Sequence, residues 1–457
     1  MTENNKSKMA AVKIAELVKE QGGHAYYVGG YVRDELLGID NKDIDIEVHG
    51  VTPSCLENIL DNVGERITIG ESFGIYNLKG ISLDIAMPRK ETAIGKGHRD
   101  FDVIVDPYIG TEKASERRDF TINALMQDVL TGEIIDHHGG REDLENKILR
   151  HVNSNTFVED PLRVLRGAQF AARFGLTLHH ETAELYKKID LSTLSKERIE
   201  GELKKALVKA EKPSVFFEIL RETNRLDEWF PEVKALTGIE QNPKHHSEGD
   251  VWTHTMMVLD QAAKFREKTE EPFGFMLAAL THDFGKAVCT EVVDGEIHSY
   301  EHETKGLPIV ENFLRRITNE TNLIKYVLNL VEYHMKPNTM AAAKSSVKST
   351  NKMFDKAIDK KALIYIAIAD GLGQITQYEN VSHEKFLFDR LEVYNEYMQR
   401  PYVMGRDLIA SGLTPDSDFT EILEYAHKLR LAGENKESAL KQVWAYAKKI
   451  RKNKTRY

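Results

Sequence analysis

Hydrophobic and polar positions follow two different periods along the chain. Up to about residue 150, short apolar runs interleaved with polar residues predict strands in HAYYVGG, DIDIEVHG, ERITIG, FGIYNLKG, ISLDIAM, DFDVIVDP and GEIIDHHGG. Helices are predicted at about 8–21 and in YVRDELLG. From about residue 157, apolar residues recur at helical spacing to the end of the sequence. We therefore predict an α+β head with a small mixed sheet, followed by an all-α remainder.

Length and composition restrict the class of protein. The 457 residues predict three or four units at about 100–200 residues per domain. No apolar run approaches about 18 residues, and the polar start resembles neither a signal nor a transit peptide, so we expect no membrane span. Cys55 and Cys289 are far apart and indicate a reducing compartment, hence the cytoplasm. The net charge of −10 argues against non-specific coating of nucleic acid.

The predicted strand DIDIEV places Asp43 and Asp45 on one face, because side chains alternate along a strand. Two such carboxylates suit a pair of Mg²⁺ ions, which can clamp the attacking and leaving oxygens of phosphoryl transfer. An exposed strand edge explains the motif more simply when it is taken alone. Asp84, in ISLDIAMP, is either a third carboxylate of this site or the end of a strand.

A glycine pair precedes these aspartates. Gly29 and Gly30 lie where a strand should end and a helix begin, so that bare backbone N–H groups can meet a triphosphate. Arg33, three residues later, offers a guanidinium fork to phosphate. A glycine pair alone is typical of any tight turn, but its combination with the arginine and the two aspartates is much rarer.

The segment RRDFTINAL supplies polar side chains between apolar ones. Arg118 is a candidate phosphate ligand, and Asp119 and Asn123 are candidate partners of ribose hydroxyls. An arginine–aspartate surface pair that caps a helix is the alternative.

The segment EDPLRVLR predicts a helix with Asp160 as its N-cap and Pro161 as its first residue. Asp160, Arg163 and Arg166 are spaced by three and should share one helix face, where donors and acceptors can pair with the edge of a base. A capped helix with an ion-paired arginine stripe is the more economical interpretation of this segment alone.

The helical remainder carries histidines and aspartates in apolar segments. The candidate metal ligands are His254, His282, Asp283 and Asp370, with His302 and His334 nearby in the sequence pattern. Buried ionisable groups need partners, and one divalent metal satisfies several of them together. A single histidine of this kind would more often be a core residue.

The order VGGYVRD, DID, RRDFTINAL, EDPLRVLR and KERIEGEL resembles the class II tRNA nucleotidyltransferases and their bacterial poly(A) polymerase relatives. The resemblance implies addition of CCA to tRNA 3′ ends from CTP and ATP without a nucleic-acid template. It implies Mg²⁺ at Asp43 and Asp45, nucleotide contacts from Gly29, Gly30, Arg33, Arg118 and Asp119, base recognition by Asp160 and Arg163 with Arg166 nearby, and a bracing role for Glu197, Arg198 and Glu202.

The histidine–aspartate set resembles the metal site of the HD superfamily, with His302 and His334 matching the additional histidines of its hydrolytic members. This implies a divalent transition metal and phosphatase or 2′,3′-cyclic phosphodiesterase activity. The alternative, an inherited metal site that catalyses no reaction, stays open.

Together the resemblances divide the chain into a nucleotidyltransferase head (1–150), a neck for nucleobase selection (151–235), an HD domain (236–400) and a tRNA-binding tail (401–457). The expected partners are CTP, ATP and the 3′ end and elbow of tRNA. The end of the tail is basic: no acidic residue follows Glu437.

Three alternatives are weighed against this interpretation. A poly(A) polymerase usually carries a GRR segment, which GERITIGESFGIYNLKG lacks. An enzyme that adds only CC should lack the flexible loop that residues 87–103, with Arg89 and Glu91 at its start, resemble. A phosphohydrolase with a non-catalytic RNA-binding head does not require the complete head motifs found here.

Overall fold

The computed structural model describes residues 3–67, 74–93, 101–376 and 382–454. The chain divides into two compact units, Met1–Trp229 and Phe230–Tyr457. Within the described ranges, no helix combines the length and the apolar character needed to cross a membrane.

The first unit mixes helices and strands, as predicted. Its helices are α1 (Glu3–Glu20), α2 (Gly30–Leu36), α3 (Pro53–Asp61), α4 (Thr111–Glu116), α5 (Gly140–Glu145), α6 (Ser154–Phe157), α7 (Leu162–Phe174), α8 (His180–Tyr186), α9 (Lys196–Lys209) and α10 (Ser214–Glu222). Its strands are β1 (His24–Val28), β2 (Ile44–His49), β3 (Arg66–Ile67), β4 (Ile75–Leu78), β5 (Ile81–Ala86), β6 (Arg89–Ala93), β7 (Phe101–Val105), β8 (Met126–Asp128), β9 (Ile134–Ile135), β10 (Ile148–Leu149) and β11 (Thr177–Leu178).

In the described residues, a mixed sheet has the strand order β3-β4-β5-β2-β1-β8-β9. Strands β2 and β5 are parallel neighbours, while the other pairs are antiparallel. Ile14 and Val18 of α1 pack against Ile46, Leu83 and Ile85, which form one buried face of the sheet. This face holds the core of the head, and the alternating residues of β2 and β5 point the other way.

Three local expectations in the first unit are corrected. Residues 89–93, within the predicted loop 87–103, form β6 and pair with β7, whereas residues 94–100 lie outside the described ranges. Helix α7 begins at Leu162 rather than Pro161, and Pro161 occupies the cap position. Asp160 still satisfies a free donor of the first turn, because its Oδ1 accepts a hydrogen bond from the Leu162 N–H at 3.1 Å. In addition, β11, in the stretch predicted to be helical, is a short strand that pairs in parallel with β10.

The second unit is largely helical. Its helices are α11 (Pro231–Lys234), α12 (Val251–Ala262), α13 (Pro272–Thr281), α14 (Lys286–Cys289), α15 (His302–Lys305), α16 (Leu307–Ile317), α17 (Thr321–Tyr333), α18 (Met335–Ala342), α19 (Val347–Lys356), α20 (Lys360–Leu372), α21 (Glu384–Gln399), α22 (Gly405–Ala410), α23 (Phe419–Leu431) and α24 (Lys436–Lys454).

The prediction of an all-α remainder is wrong at one further place. Strands β12 (Glu291–Val293) and β13 (Glu296–His298) form an antiparallel hairpin. Asp294 and Gly295 make its turn with φ angles of 52° and 80°, which a β-turn between two strands requires. The short strands are exposed, so their apolar residues do not produce the pattern of a buried sheet.

Candidate functional site

An open pocket of about 640 Å³ in the first unit collects the head and neck motifs. Among the residues that line it are Gly29, Gly30, Arg33, Asp43, Asp45, Arg117, Arg118, Asp119, Asn123, Asp160, Arg163, Arg166 and Arg198. Six arginines and one lysine outnumber four aspartates in the whole lining. The excess of cationic side chains favours a polyanionic ligand in this pocket.

The glycine pair lets a guanidinium approach the turn between β1 and α2. Gly29 has a φ of +67°, and a Cβ built on it would lie 3.3 Å from Nη1 of Arg118. Both the backbone conformation and the available space therefore favour glycine at this position.

Arg33 lines the pocket, but its guanidinium already has partners. Nε and Nη2 donate to Asp34 Oδ1 at 2.7 and 2.6 Å, and Nη1 donates to Asn123 Oδ1 at 2.6 Å. The guanidinium carbon lies 4.4 Å from the centre of the Phe174 ring. In this structure Arg33 braces α2 against the RRD segment.

The candidate Mg²⁺ ligands lie together at the end of the β2–β5 pair. Asp43 directly precedes β2, and Asp45 stands opposite Asp84 in the parallel register. Burial, the charge of Asp84 and, less strongly, that of Asp43 raise the pKa of Asp45 to about 6, although Arg118 opposes the shift. A divalent cation would relieve this repulsion, so the residues present fit Mg²⁺.

Glu47, on the same strand face as Asp45, was not selected from the sequence. Its side chain is 1% exposed and lies 2.9 Å from His49 Nε2, 3.3 Å from Arg117 Nη2 and 3.6 Å from Arg118 Nη2. Burial alone would raise the pKa of Glu47, but the hydrogen bond from His49 and the charges of Arg118 and Arg117 lower it to about 2. Glu47 thus forms ion pairs with both arginines of the RRD motif.

Asp119 is fully engaged within the protein. Its Oδ2 accepts from Arg166 Nε at 2.9 Å, and its Oδ1 accepts from the Phe120 N–H at 2.8 Å and from Asn123 Nδ2 at 3.0 Å. Burial opposes ionisation, but the charge of Arg166 and these hydrogen bonds lower the pKa of Asp119. It links the RRD segment to helix α7.

Asp160 and Arg163 both face the pocket but do not hold each other. Asp160 accepts from Arg198 Nη2 at 2.9 Å on each carboxylate oxygen. Arg163 donates to the carbonyl oxygens of Thr156 at 2.8 Å and Arg117 at 2.7 Å. Arg198 therefore fixes the Asp160 carboxylate, and two backbone carbonyls fix the Arg163 guanidinium.

A candidate metal centre lies in the second unit. It consists of His254, His282, Asp283, His302, His334 and Asp370, and two groups of three have all their ligand atoms within 4.8 Å of one another. One group is His254, His282 and Asp370. The other is Asp283, His302 and His334. In the described part of the chain, all groups of this kind lie in the second unit, so the head aspartates are less tightly gathered.

Asp283 connects the two groups. Its Oδ1 lies 3.1 Å from His302 Nε2, and its Oδ2 lies 3.2 Å from His282 Nε2 and 2.8 Å from Lys286 Nζ. His254 Nε2 lies 3.0 Å from Asp370 Oδ1. The carboxylate of Asp283 therefore contacts a histidine of each group of candidate ligands.

Three of the imidazoles are held in one orientation by the backbone. Nδ1 of His282, His302 and His334 each lies within hydrogen-bonding distance of the carbonyl three residues earlier, at 2.9, 3.0 and 2.7 Å. Each ring consequently turns Nε2 towards the cluster. Nε2 of His282 is buried, and its 3.2 Å approach to Asp283 Oδ2 lacks the geometry of a hydrogen bond.

The donor set suits a transition metal better than Mg²⁺, because it combines imidazole nitrogen with carboxylate oxygen. Burial alone would lower the pKa of His254, but its hydrogen bonds to Asp370 and Glu248 raise it to about 9. Without a metal, the cluster thus retains a positive charge beside its carboxylates. The residues fit a divalent cation at this position.

Comparison with known proteins agrees with both sites. Residues 25–150 match the family described as the Poly A polymerase head domain, and residues 251–373 match the HD domain family. The multifunctional CCA protein of Pasteurella multocida is 35% identical over 399 residues, which cover 85% of this chain and 91% of that protein. The chain belongs to the family of the multifunctional CCA proteins.

Other family members and solved structures extend this result. The multifunctional CCA protein of Actinobacillus pleuropneumoniae serotype 5b is 37% identical over 323 residues, or 69% of this chain and 76% of the relative. A CCA-adding enzyme in its apo form II has a TM-score of 0.66 at 22% identity, with 96% of this chain and 95% of that chain covered. The Thermotoga maritima CCA-adding enzyme in complex with tRNA has a TM-score of 0.61 at 21% identity over 97% and 95%. The predicted family and fold class are confirmed.

The structure thus brings the predicted residues together in two places. Asp84 stands beside Asp45 but does not line the pocket, whereas the other candidate metal and nucleotide ligands of the head and neck do. Glu197 is outside the lining as well, while Glu202 is buried and pairs with Lys205 at 2.8 Å. The candidates not selected from the sequence are Glu47, Arg117, His246 and Glu248. The strand period could have indicated Glu47, because it shares the face of Asp45.

Proposed function

We propose that this protein adds CCA to the 3′ end of tRNA, using CTP and ATP and no nucleic-acid template. The observation that carries the proposal is the convergence of five separate motifs on one pocket, in which carboxylates stand beside arginines. Membership of the family and solved relatives described with CTP, ATP and tRNA support it.

The proposed chemistry assigns a role to each side of the pocket. Asp43 and Asp45, with Asp84 beside them, would hold Mg²⁺, and the bound ion would supply positive charge to the attacking hydroxyl and the leaving pyrophosphate. Arg118, supported by Glu47, would bind the triphosphate. The head would therefore position the reacting groups and compensate the negative charge of the triphosphate.

The choice of base is proposed to lie in the neck. Asp160 can accept hydrogen bonds from a base edge, and Arg163 can donate to one, while Arg198 fixes the carboxylate. Together these groups present a donor and an acceptor to both cytosine and adenine. In the proposed division, residues 1–150 are the head, 151–235 the neck, 236–400 the HD domain and 401–457 a tRNA-binding tail. We also propose a cytoplasmic location.

A second activity is proposed for the HD centre, because six potential ligands converge there, five of them buried and Asp370 partly exposed. With a divalent transition metal bound, the centre would hydrolyse phosphomonoesters or 2′,3′-cyclic phosphodiesters. The residues proposed for this activity are different from those that line the head pocket.

The decisive experiment for the transferase uses a tRNA that lacks CCA. The protein is incubated with labelled CTP, ATP or both, and the products are resolved at single-nucleotide length. Addition that stops after three nucleotides supports the proposal. A long A tail would identify a poly(A) polymerase, and addition of only CC or only A would identify a partial enzyme.

Two variants separate the activities. Asp43→Asn with Asp45→Asn should reduce nucleotide incorporation by at least about a thousandfold, because the metal ligands are lost. His282→Ala should leave incorporation unchanged and abolish hydrolysis of 2′,3′-cyclic AMP. Retention of incorporation in the double aspartate variant would leave the head without its assigned role.

A further inference from the structure

Glu248 contacts two histidines next to the HD centre. Its side chain is 1% exposed, and its Oε1 accepts hydrogen bonds from His254 Nδ1 at 2.9 Å and from His246 Nδ1 at 2.8 Å. A carboxylate accepts only, so both ring nitrogens are donors in these bonds. This leaves Nε2 of His254 as the atom that faces Asp370.

The other oxygen of Glu248 reaches a different part of the unit. Its Oε2 accepts from the backbone N–H of Ile375 at 2.9 Å, just beyond the helix α20 that carries Asp370. The backbone N–H of Ser247 donates in turn to the Ile375 carbonyl at 2.7 Å. One buried carboxylate therefore joins the segment before α12 to the segment after α20, and each of these helices supplies a ligand.

His246 keeps this carboxylate in place. Its Nε2 lies 3.1 Å from Gln374 Nε2, and an amide nitrogen can only donate, so His246 accepts at Nε2 and donates at Nδ1. Its ring packs edge-on against His254, with 4.8 Å between the ring centres. Both histidines therefore donate a hydrogen bond from Nδ1 to the Glu248 carboxylate.

We propose that Glu248 is a positioning residue of the HD metal centre, which fixes the tautomer and orientation of His254 and, through Ile375, the place of Asp370. The inference rests on the metal centre proposed above. His254 differs from the other three histidines because no backbone carbonyl is placed to hold its Nδ1 among the contacts of the described chain. Glu248 takes the place of that carbonyl and adds a negative charge, which makes the imidazole a stronger ligand.

The same three side chains could instead hold a metal of their own, because the ligand atoms of His246, Glu248 and His254 also lie within 4.8 Å of one another. A metal there would have to replace the Nδ1 protons that both histidines donate to Glu248, and it would leave the proton of His254 on Nε2, so that this atom could no longer bind a metal beside Asp370. The satisfied hydrogen bonds therefore favour the positioning role. The two possibilities predict different results on metal binding: weaker affinity at unchanged stoichiometry, or the loss of one metal.

The test is a titration of the full chain with Co²⁺, followed by calorimetry and by the visible absorption of the bound ion. Asp43→Asn and Asp45→Asn are included throughout, so that the head aspartates do not contribute. Glu248→Gln is compared with Glu232→Gln, which removes the charge from a carboxylate of the same unit that pairs with Arg316. His246→Asn serves as a second variant that leaves Glu248 in place.

We expect Glu248→Gln to weaken Co²⁺ binding about 10- to 100-fold at unchanged stoichiometry, as outer-shell substitutions do. His246→Asn should weaken it by a smaller factor, and Glu232→Gln should not change it. The thermal unfolding of the metal-free variants is measured in parallel, so that an unfolded protein is not taken for a weaker site.

Unchanged affinity in a folded Glu248→Gln protein would overturn the positioning role, and if that variant does not fold, unchanged affinity in His246→Asn does so. Loss of one bound metal with the others unaffected would overturn it in favour of a separate site. Failure of the parent protein to bind Co²⁺ would refute the metal centre itself, and the inference with it.

Discussion

Two carboxylates on one face of β2 show opposite responses to their surroundings. The pKa of Asp45 is raised to about 6, since burial and neighbouring carboxylates disfavour its charge. The pKa of Glu47, two residues later, is lowered to about 2 because His49 and two arginines compensate the burial. The direction of the pKa shift thus distinguishes a buried carboxylate whose charge is not compensated from one that is paired with cationic side chains.

Removal of the Asp45 charge should stabilise the metal-free protein. The folded protein binds the Asp45 proton up to about pH 6 and the unfolded chain only up to about pH 3.8, so the wild type loses stability as pH rises between these values. After allowance for partial solvent screening, Asp45→Asn should raise the free energy of unfolding at pH 7.5 by about 1–2 kcal/mol. Thermal unfolding in a chelator at pH 7.5 and pH 4 measures the gain.

No gain is expected at pH 4, because Asp45 is then protonated in the folded protein. Asp119→Asn is the matched control. Its pKa is lowered by Arg166 and by hydrogen bonds, so this change should destabilise the protein at pH 7.5. A destabilised Asp45→Asn protein would show that Asp45 is a structural rather than a ligand-binding carboxylate.

Glu47→Gln should have the opposite effect on stability and should also weaken nucleotide binding. It leaves Arg117 and Arg118 without their buried anion, which costs about 3 kcal/mol and raises the KM for CTP and ATP about tenfold. The stabilisation by wild-type Glu47 is present above the unfolded pKa, about 4.5, and is lost as pH falls towards 2.

Denaturant unfolding from pH 7 down to pH 2, together with steady-state kinetics, tests this prediction. Glu65→Gln is the control, because Glu65 pairs with Lys79 on the exposed surface, where such pairs contribute little. An unfolding difference between wild type and Glu47→Gln that does not shrink below pH 4.5 would contradict the assignment.

The sequence could predict the residues that belong to a local periodic pattern or to a known family motif. Alternation placed Asp43 near Asp45, but only strand pairing brings Asp84 opposite Asp45, and a register cannot be read from one strand. Arg198 reaches Asp160 across 38 positions, and no local period encodes that contact. Glu248 stands in a loop, where neither helical nor strand spacing selects it.

At the scale of elements, glycines decide how closely ligand-bearing segments approach. A Cβ on Gly285 would lie 2.0 Å from the carbonyl oxygen of His302 and 2.9 Å from the Gly306 N–H nitrogen. The turn after the HD motif therefore touches the backbone of α15, which begins with a candidate ligand. The hairpin β12–β13 had a comparable local signal, the Asp294-Gly295 pair, but its short strands concealed it.

Gly285→Ala should displace α15 and weaken the group formed by Asp283, His302 and His334. Because both contacting atoms belong to the backbone, the added methyl group cannot be accommodated by a rotamer change. We expect loss of about 1–3 kcal/mol of stability and of metal at that group, measured as Co²⁺ bound per chain.

Gly371→Ala provides a control next to another candidate ligand, Asp370. The nearest atom to a Cβ there is Asn338 Nδ2 at 3.9 Å, so the methyl group fits, and alanine is the better helix former. This variant should bind the same amount of metal as the wild type and be equally or more stable. Equal metal binding by Gly285→Ala would show that the close approach does not control the position of His302.

At the scale of the whole molecule, the two units carry different chemistry and the charge is unevenly distributed. The first unit holds the arginine-rich pocket, and the second holds the histidine cluster. The net charge is −10, yet the sequence after Glu437 carries no acid. Helix α24 buries Ala439, Val443 and Ala447 in a small core with α22 and α23, so exposed lysines occupy its outer side.

If this basic helix contacts the tRNA backbone, its contribution must depend on salt. Lys448 and Lys449 are exposed, so Lys448→Gln with Lys449→Gln should weaken tRNA binding about tenfold at low salt and reduce the slope of log Kd against log salt by about 2. The kcat at saturating tRNA and the KM for CTP should not change, because the pocket lies in the other unit. Lys385→Gln, which breaks an exposed ion pair with Asp389 on α21, is the control and should leave the slope unaltered. A salt slope in the double variant equal to that of the wild type would exclude α24 from the tRNA interface, even if nucleotide addition proceeds normally.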